Sequence, residues 1–216
     1  MEKRFSKFLS IIIVAVMLFF SKGCGDSSGN GSSGNGSDPI HFLLEDRQIT
    51  VDGIETVDWA GISPQRQDDA GDDNYGYVGA DITDLCFCVD GNDFCILFYV
   101  GDGNINVSDP IHYRVWFDCN RDEQLDGDST SRQVDVWYDS VGGSWEIDCQ
   151  DLTEPTPNII SATASAAASV DTLEIKVNIA ELGLSNQFYI EAATLGPAWE
   201  SCDYADDGPP VELELP

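Results

Sequence analysis

Apolar and polar residues alternate along much of the chain between residues 82 and 195, with the period of two that is typical of half-buried β-strands. Residues 172–179 put four aliphatic side chains on one face and polar side chains on the other. The aliphatic positions are Leu173, Ile175, Val177 and Ile179. The same alternation occurs in HYRVWFD (112–118), QVDVWYD (133–139), SWEIDC (144–149) and FYIEAAT (188–194). The pattern predicts many short strands.

A hairpin is predicted in residues 85–100, where two apolar runs flank Asp90-Gly91-Asn92-Asp93, a sequence typical of tight turns. A turn centred on Gly91 and Asn92 pairs residues whose numbers sum to 183, so this register places Cys88 opposite Cys95. We expect the two strands to be neighbours in one sheet.

Helix is scarce in the pattern. IAELGL (179–184) predicts a single turn that ends before Gly183. The alanine-rich SATASAAASV (161–170) has helical propensity, but its serines and its place among strands favour an edge strand or a loop. Many short strands with turns between them predict an all-β sandwich or barrel-like fold.

The N-terminal segment predicts export. Residues 1–23 have a basic start and an apolar stretch from 8 to 20, which is typical of a signal peptide. Cys24 and a flexible Gly/Ser/Asn coil follow, so residues 24–39 resemble the tether of a bacterial lipoprotein lipidated on Cys24. We expect an outer-membrane or cell-surface lipoprotein whose folded domain covers residues 40–216. An ordinary cleavage site at Ser21 and Gly23 leaves a freely secreted product as the alternative.

The charge balance limits the partners. The first 23 residues hold four of the 10 basic residues and one of the 39 acidic residues, which leaves six bases and 38 acids in the rest. Such a surface repels nucleic acid and anionic lipid, so both are excluded as partners and membrane contact is expected only through the lipid. Cations are the natural partners of this charge.

Six cysteines follow Cys24, an even number in an exported chain, and they favour structural disulfides. The candidates are Cys86, Cys88, Cys95, Cys119, Cys149 and Cys202. The hairpin register predicts a Cys88–Cys95 bond. A Cys119–Cys149 bond is a weaker prediction, based on two strands that run the same way and end at one edge. A metal-thiolate site is the alternative, but the chain has no C-x-x-C pair and only two histidines.

Several segments resemble the β-sandwiches of the carbohydrate-binding module family 9 group, which also includes the DOMON domains. They are ITVDGIETVDWAGI, DDAGDDNYGYVGADITDL, DFCILFYVGDG and LEIKVNIAELGL with FYIEAAT. The resemblance covers roughly residues 48–207 and implies an antiparallel, jelly-roll-like β-sandwich. Relatives bind sugars or haem. The haem-binding relatives use a methionine and a histidine as ligands. Haem is disfavoured here because the only methionines, Met1 and Met17, lie in the signal segment.

Catalytic motifs are absent from the predicted folded domain. Residues 40–216 contain no G-x-S-x-G elbow, no H-E-x-x-H helix and no G-x-x-x-x-G-K-[ST] loop, so nucleophilic, zinc and nucleotide chemistry lack their usual residues. A pair of glycosidase carboxylates cannot be singled out among so many acids. We therefore expect a protein that is not an enzyme.

DCNRDEQLDGD (118–128) places five carboxylates and one asparagine directly after a predicted strand. Oxygen ligands at alternate positions favour calcium, because carboxylates this close repel one another without a cation. The predicted ligands are Asp118, Asn120, Asp122, Asp126 and Asp128. A solvated acidic loop is the alternative. A second calcium candidate is implied by the family resemblance, with Asp69, Asp72 and Asp81 as its ligands, and turn-forming residues are its alternative.

Two tryptophans share strand faces with polar residues, which is typical of a surface that stacks on sugar. The alternation groups Trp116 with Arg114 and Trp137 with Asp135, and these four are the predicted ligand-binding residues. Trp59 is predicted to be core. The sequence thus predicts a calcium-stabilised glycan-binding module. The alternative functions are an adhesive surface protein that binds another protein and an accessory part of a glycoside-degrading system. For the two tryptophans, the alternative is that residues 197–207 cover both rings and remove the stacking surface.

Overall fold

The computed structural model describes residues 39–55, 57–101, 103, 105, 111–122, 131–152, 157–205 and 211–216. Within these residues the chain forms thirteen β-strands and one helical turn. The first seven strands are β1 (Ile40–Leu43), β2 (Arg66–Gln67), β3 (Ile82–Asp90), β4 (Asp93–Val100), β5 (His112–Asp118), β6 (Ser131–Asp139) and β7 (Ser144–Asp151). They are followed by β8 (Asn158–Ile160), β9 (Ala164–Ala168), β10 (Thr172–Asn178), α1 (Ile179–Leu182), β11 (Gln187–Leu195), β12 (Ser201–Tyr204) and β13 (Val211–Glu214).

The described strands form two sheets. The eight-stranded sheet has the order β1-β13-β11-β5-β6-β7-β8, with β12 paired to β11, and the five-stranded sheet has the order β2-β3-β4-β10-β9. Among these pairings only β1 with β13 is parallel, and the others are antiparallel. The all-β antiparallel sandwich predicted from the sequence is confirmed.

The core lies between the two sheets and consists of apolar side chains at alternate strand positions. Tyr113, Val115 and Phe117 of β5 are buried, as the alternation predicted. Phe94 of β4 packs edge-on against Phe117 and Phe188 of the other sheet, with ring centroids 5.5 and 5.7 Å apart. Burying each such side chain stabilises the fold by about 1.5–3 kcal/mol. The remaining positions of β5 therefore point away from the core.

The hairpin of β3 and β4 has the predicted register. Cys88 pairs with Cys95 and Asp90 pairs with Asp93, so the turn is centred on Gly91 and Asn92. Gly91 has a φ of 61°, a backbone conformation that glycine adopts without a steric penalty. The turn chemistry of this segment thus fixed the alignment of the two strands.

The predicted Cys88–Cys95 disulfide is not formed, and the six described cysteines are free thiols. Cys88 and Cys95 are fully buried in a small apolar cluster that also contains Cys86 and Trp59. Burial raises the pKa of Cys86 to about 12, and a hydrogen bond with Cys95, together with burial, raises the pKa of Cys88. The thiolate is the reactive form of cysteine, and a raised pKa keeps Cys86 and Cys88 protonated. These thiols therefore pack as small hydrophobic groups.

The weaker prediction of a Cys119–Cys149 disulfide is wrong for a geometric reason. Cys149 of β7 pairs with Val134 of β6, and Val134 pairs with Val115 of β5. Cys149 is therefore level with Val115, four residues before Cys119 and two strands away. Two strand spacings already amount to about 10 Å, whereas bonded cysteines have Cα atoms within about 7 Å.

The outer face of the five-stranded sheet is covered by the segment that precedes β2. Trp59 is buried there, as predicted, and its Nε1 donates a hydrogen bond to Glu174 Oε1 at 2.8 Å. The backbone N–H groups of Asp52 and Gly53 donate to Glu174 Oε2 at 2.8 and 2.7 Å. Burial nevertheless raises the pKa of Glu174. This cover makes the outer face of the eight-stranded sheet the better candidate for a ligand surface.

Two further predictions concern short elements. The alanine-rich segment forms the edge strand β9, and IAELGL forms the single turn α1. Asn178 caps the start of α1 by accepting a hydrogen bond from the backbone N–H of Glu181 at 3.1 Å, and Gly183 ends it with a φ of 79°. Among the described residues, no helix has the length and apolar character needed to cross a membrane.

Candidate functional site

β5 and β6 place the four predicted ligand-binding residues on the outer face of the eight-stranded sheet. Arg114 pairs with Asp135 across the two strands, and Trp116 pairs with Gln133. Trp137 lies two residues after Asp135, so it points to the same side. Both tryptophans are partly exposed. Trp116 and Trp137 are therefore at the surface, unlike Trp59, which is buried on the five-stranded sheet.

Arg114 and Asp135 form an ion pair within this face. Arg114 Nη2 donates to Asp135 Oδ2 at 2.8 Å, and the Asp135 side chain is only 4% exposed. His112 Nδ1 lies 3.5 Å from the same carboxylate oxygen. Charges removed from water in this way depend on each other, because neither recovers its hydration if its partner is lost.

Trp116 is held in position by its neighbours. Its Nε1 donates to Gln133 Oε1 at 3.0 Å, and its ring is nearly parallel to that of Tyr204, with centroids 6.5 Å apart. The Arg114 guanidinium carbon lies 5.6 Å from the Trp116 ring centroid, within the range of a cation–π interaction. The orientation of the indole is therefore fixed before any ligand arrives.

Trp199 is a third tryptophan at this face, and the sequence analysis did not identify it as a ligand residue. His112 lies between two indoles, with its ring centroid 5.2 Å from Trp137 and 4.1 Å from Trp199. Trp199 also lies 5.4 Å from the guanidinium carbon of Arg114. We call these six residues the tryptophan face: His112, Arg114, Trp116, Asp135, Trp137 and Trp199.

The turn between β11 and β12 presents Trp199. The Trp199 side chain is half exposed, and its φ of 66° is rare for a large aromatic residue. The Gly196 and Glu200 backbones close the turn through a hydrogen bond of 2.8 Å, and Glu200 Oε1 accepts a hydrogen bond from the Tyr77 hydroxyl at 2.7 Å. The signal in the sequence is a tryptophan within Gly-Pro-Ala-Trp-Glu, a turn-like segment of residues 196–200.

Three buried polar atoms of the tryptophan face have no hydrogen-bond partner. They are His112 Nδ1, Arg114 Nε and Asp135 Oδ1. The 3.5 Å contact between His112 and Asp135 is too long for an effective hydrogen bond. Buried polar groups in proteins are nearly always paired, so three such atoms in one place indicate an incomplete arrangement.

Carboxylates border the tryptophan face on the neighbouring strands. Glu191 of β11 pairs with Trp116, while Asp148 and Glu146 of β7 pair with Asp135 and Trp137. The resulting negative potential repels anionic ligands and favours neutral or cationic ones. The face therefore combines aromatic rings with a negative potential that disfavours anionic ligands.

A separate cluster of carboxylates could hold a metal ion. One oxygen each from Asp68, Asp72 and Asp203 lie within 4.8 Å of one another. Carboxylate oxygens are the ligands that calcium prefers. Of the predicted set, Asp72 belongs to this cluster, and Asp81 accepts a hydrogen bond from Gly71 N at 2.9 Å in the same loop. Asp69 is exposed and is not one of the three clustered residues.

Asp203 carries the electrostatic signature of that cluster. It is buried on β12, and its Oδ2 accepts a hydrogen bond from Ile82 N at 2.6 Å. Burial, with the nearby charges of Asp72 and Asp81, raises the pKa of Asp203 to about 6. Burial is the larger cause of the raised pKa, and repulsion from Asp72 and Asp81 adds to it. A divalent cation between the carboxylates would relieve that repulsion.

The other predicted calcium loop is only partly described. Asp118 is buried, and its Oδ1 accepts a hydrogen bond from Arg121 N at 2.8 Å. Asn120 and Asp122 hydrogen-bond each other at 3.0 and 3.2 Å. Asp126 and Asp128 lie outside the described residues. Calcium binding by this loop therefore stays a prediction.

No protein-family model, curated protein or solved structure matches this chain. The resemblance to family 9 modules consequently rests on the sequence segments that suggested it. The signal segment, Cys24 and the tether also lie outside the described residues. The chemistry of the tryptophan face and of the carboxylate cluster must carry the functional argument.

Proposed function

We propose that this protein is a non-catalytic glycan-binding module whose ligand lies on the tryptophan face. The observation that carries the proposal is that Trp116 and Trp137 share an outward-facing sheet surface with the Arg114–Asp135 pair, which is held at 2.8 Å. A sugar ring presents a C–H surface that packs on indole and hydroxyl groups that form directed hydrogen bonds. Both requirements are met within a few residues of one another.

The rival proposal is a surface protein that binds another protein. Tryptophan and arginine are also enriched at protein interfaces, and the same face could receive a complementary side chain. The bordering acids would then select a basic partner. A third possibility is that the glycan-binding module serves as an accessory to a glycoside-degrading enzyme. This role would add a partner protein and leave the sugar-binding chemistry of the tryptophan face the same.

A glycan array separates the first two proposals. The protein, prepared without residues 1–23, should bind neutral glycans on the array in the presence of calcium. The Trp137→Ala variant should lose this binding. Pull-down against surface proteins of the same cells is the parallel measurement. Retention by a basic protein, with no signal on any glycan, would favour the adhesive role.

Export and lipidation form part of the proposal and rest on the sequence of residues 1–39. Cys24 would carry the lipid, and the Gly/Ser/Asn coil would separate the sandwich from the membrane. A module displayed in this way would meet extracellular glycans. Mass spectrometry of the mature N-terminus distinguishes lipidated Cys24 from a freely secreted chain.

We further propose that calcium stabilises the sandwich at the carboxylate cluster. Asp68 and Asp72 come from the loop after β2, and Asp203 comes from β12, so a shared cation would join two segments that are distant in sequence. Calcium takes six to eight oxygen ligands, and water or backbone carbonyls would complete the set. The donor chemistry fits calcium better than zinc, which prefers nitrogen and sulfur.

Calcium is expected to raise the unfolding temperature, because a ligand that binds only the native state stabilises it by mass action. At 100 times its dissociation constant it should add about 2.7 kcal/mol to the free energy of unfolding. Asp72→Asn should remove the part of the response that comes from the carboxylate cluster, whereas the neighbouring Asp69→Asn should keep it. Asp118→Ala with Asp122→Ala tests the other loop. Identical melting curves with calcium and with chelator would contradict the proposal.

A further inference from the structure

The tryptophan face leaves buried polar groups unsatisfied that a ligand could satisfy. Arg114 Nε and Asp135 Oδ1 are both buried without a hydrogen-bond partner, and they belong to side chains joined by the 2.8 Å ion pair. Arg114 Nε is an obligatory donor and Asp135 Oδ1 is an acceptor. Because they belong to two paired side chains, a ligand that can both accept and donate hydrogen bonds would match them.

Trp199 lies against this pair from the solvent side. Its ring is 4.1 Å from His112 and 5.4 Å from the Arg114 guanidinium carbon, while half of its own surface remains exposed. The turn that carries it has a left-handed φ of 66°, which is unfavourable for a tryptophan. The ring that lies against His112 and the Arg114 guanidinium is thus the least buried of the three indoles.

We infer that Trp199 is a movable cover over a polar subsite, and that an uncharged sugar displaces it to hydrogen-bond Arg114 Nε and Asp135 Oδ1 through its hydroxyl groups. The inference rests on the proposed glycan-binding function and adds the ligand class and the residues that select it. A hydroxyl group accepts from the guanidinium and donates to the carboxylate, so two neighbouring hydroxyls satisfy both atoms.

The charges around the subsite determine which sugars fit. Glu191, Asp148 and Glu146 border the face on both sides, and the Arg114 guanidinium is already paired with Asp135. A uronic acid would bring a carboxylate into this negative surface and would gain no free cation there. Neutral hexoses and pentoses meet no such repulsion.

Displacing Trp199 costs free energy, and this cost lowers the apparent affinity for sugar. If the uncovered state is a minor one, the apparent affinity is reduced by the fraction of molecules that are uncovered. Removing the cover should therefore tighten binding, which is the opposite of removing a stacking ring. Trp137 lies on β6, where strand pairing fixes its position, and provides the contrast.

The experiment measures affinity by calorimetry for the full mature chain with three probes: cellobiose, maltose and digalacturonic acid. Trp199→Gly suits the left-handed φ and is expected to bind at least one neutral disaccharide about threefold tighter or more than the wild type does. Trp199→Phe keeps a cover and should stay close to the wild type. Arg114→Lys keeps the charge but removes Nε–H, and it should bind about tenfold weaker. Digalacturonic acid should bind weakest in every variant.

The outcomes separate the inference from the function on which it rests. Weaker neutral-sugar binding by Trp199→Gly, similar to that of Trp137→Ala, would make Trp199 a stacking ring and overturn the cover while leaving glycan binding intact. Preferred binding of digalacturonic acid would overturn the ligand class. Absence of binding by the wild type and by Trp199→Gly, in samples that melt cooperatively, would overturn both.

Discussion

Replacing Asp135 by alanine is expected to lower the free energy of unfolding by about 3 to 5 kcal/mol, the usual effect of removing one partner of a buried ion pair. Asp135 is almost completely buried and holds the Arg114 guanidinium at 2.8 Å. Without the carboxylate, Arg114 stays between two indoles with its positive charge uncompensated. Chemical denaturation at neutral pH measures the loss, and glycan binding should disappear together with the stability.

Asp148→Ala is the matched control for that prediction. Asp148 pairs with Asp135 on the neighbouring strand, but it is only partly buried. Its removal takes away a like charge, so we expect the free energy of unfolding to change by no more than about 0.5 kcal/mol. Equal destabilisation by the two substitutions would show that the Arg114–Asp135 pair has no special role.

Gly53→Ala is expected to destabilise the protein by about 2 to 5 kcal/mol, through two separate terms. Gly53 has a φ of 80°, where a side chain costs about 1 to 2 kcal/mol. An added Cβ would also lie 2.5 Å from the backbone carbonyl carbon of Ala168, a clash that costs about 1 to 3 kcal/mol more. The substitution would push the covering segment away from the five-stranded sheet, where Gly53 N donates to Glu174.

Gly91→Ala separates those two terms. Gly91 has a similar φ of 61°, and an added Cβ there meets no atom within 4 Å. We therefore expect only the conformational cost of about 1 to 2 kcal/mol in urea denaturation. If Gly91→Ala and Gly53→Ala destabilise the chain equally, the close approach to Ala168 does not exist in solution.

The strand pattern was predictable because it depends on local chemistry. The alternation in residues 112–118 predicts that Tyr113, Val115 and Phe117 lie in the core, and the Gly91–Asn92 turn fixed the register of β3 and β4. Each of these features is encoded within about ten residues of sequence. The same local logic placed Arg114 and Trp116 on the outer face.

Contacts between distant segments were not predictable in the same way. Asp203 approaches Asp68 and Asp72 only because β12 pairs with β11, and nothing near residue 203 indicates the loop it meets. Trp199 likewise comes to His112 through the turn after β11. The sequence therefore named only Asp72 among the three clustered carboxylates, and four of the six residues of the tryptophan face.

The cysteines show the limit of an argument from cellular compartment. An even number of cysteines in an exported chain favoured disulfides, yet the pairing of β5, β6 and β7 separates Cys119 from Cys149, and an apolar cluster holds Cys88 and Cys95 as thiols. Register predicted correctly which residues face each other. Whether facing thiols become bonded also depends on how deeply they are buried, which the sequence did not reveal.

The central claim is that Trp116 and Trp137 contact sugar, and paired measurements of glycan affinity and melting temperature test it most directly. Trp116→Ala and Trp137→Ala should each weaken binding by about 1 to 3 kcal/mol and leave the melting temperature nearly unchanged. Trp59→Ala is the control for a core indole, and it should cost about 3 to 5 kcal/mol of stability. A large fall in melting temperature for the two surface variants, with glycan affinity unchanged or never detectable, would contradict the account.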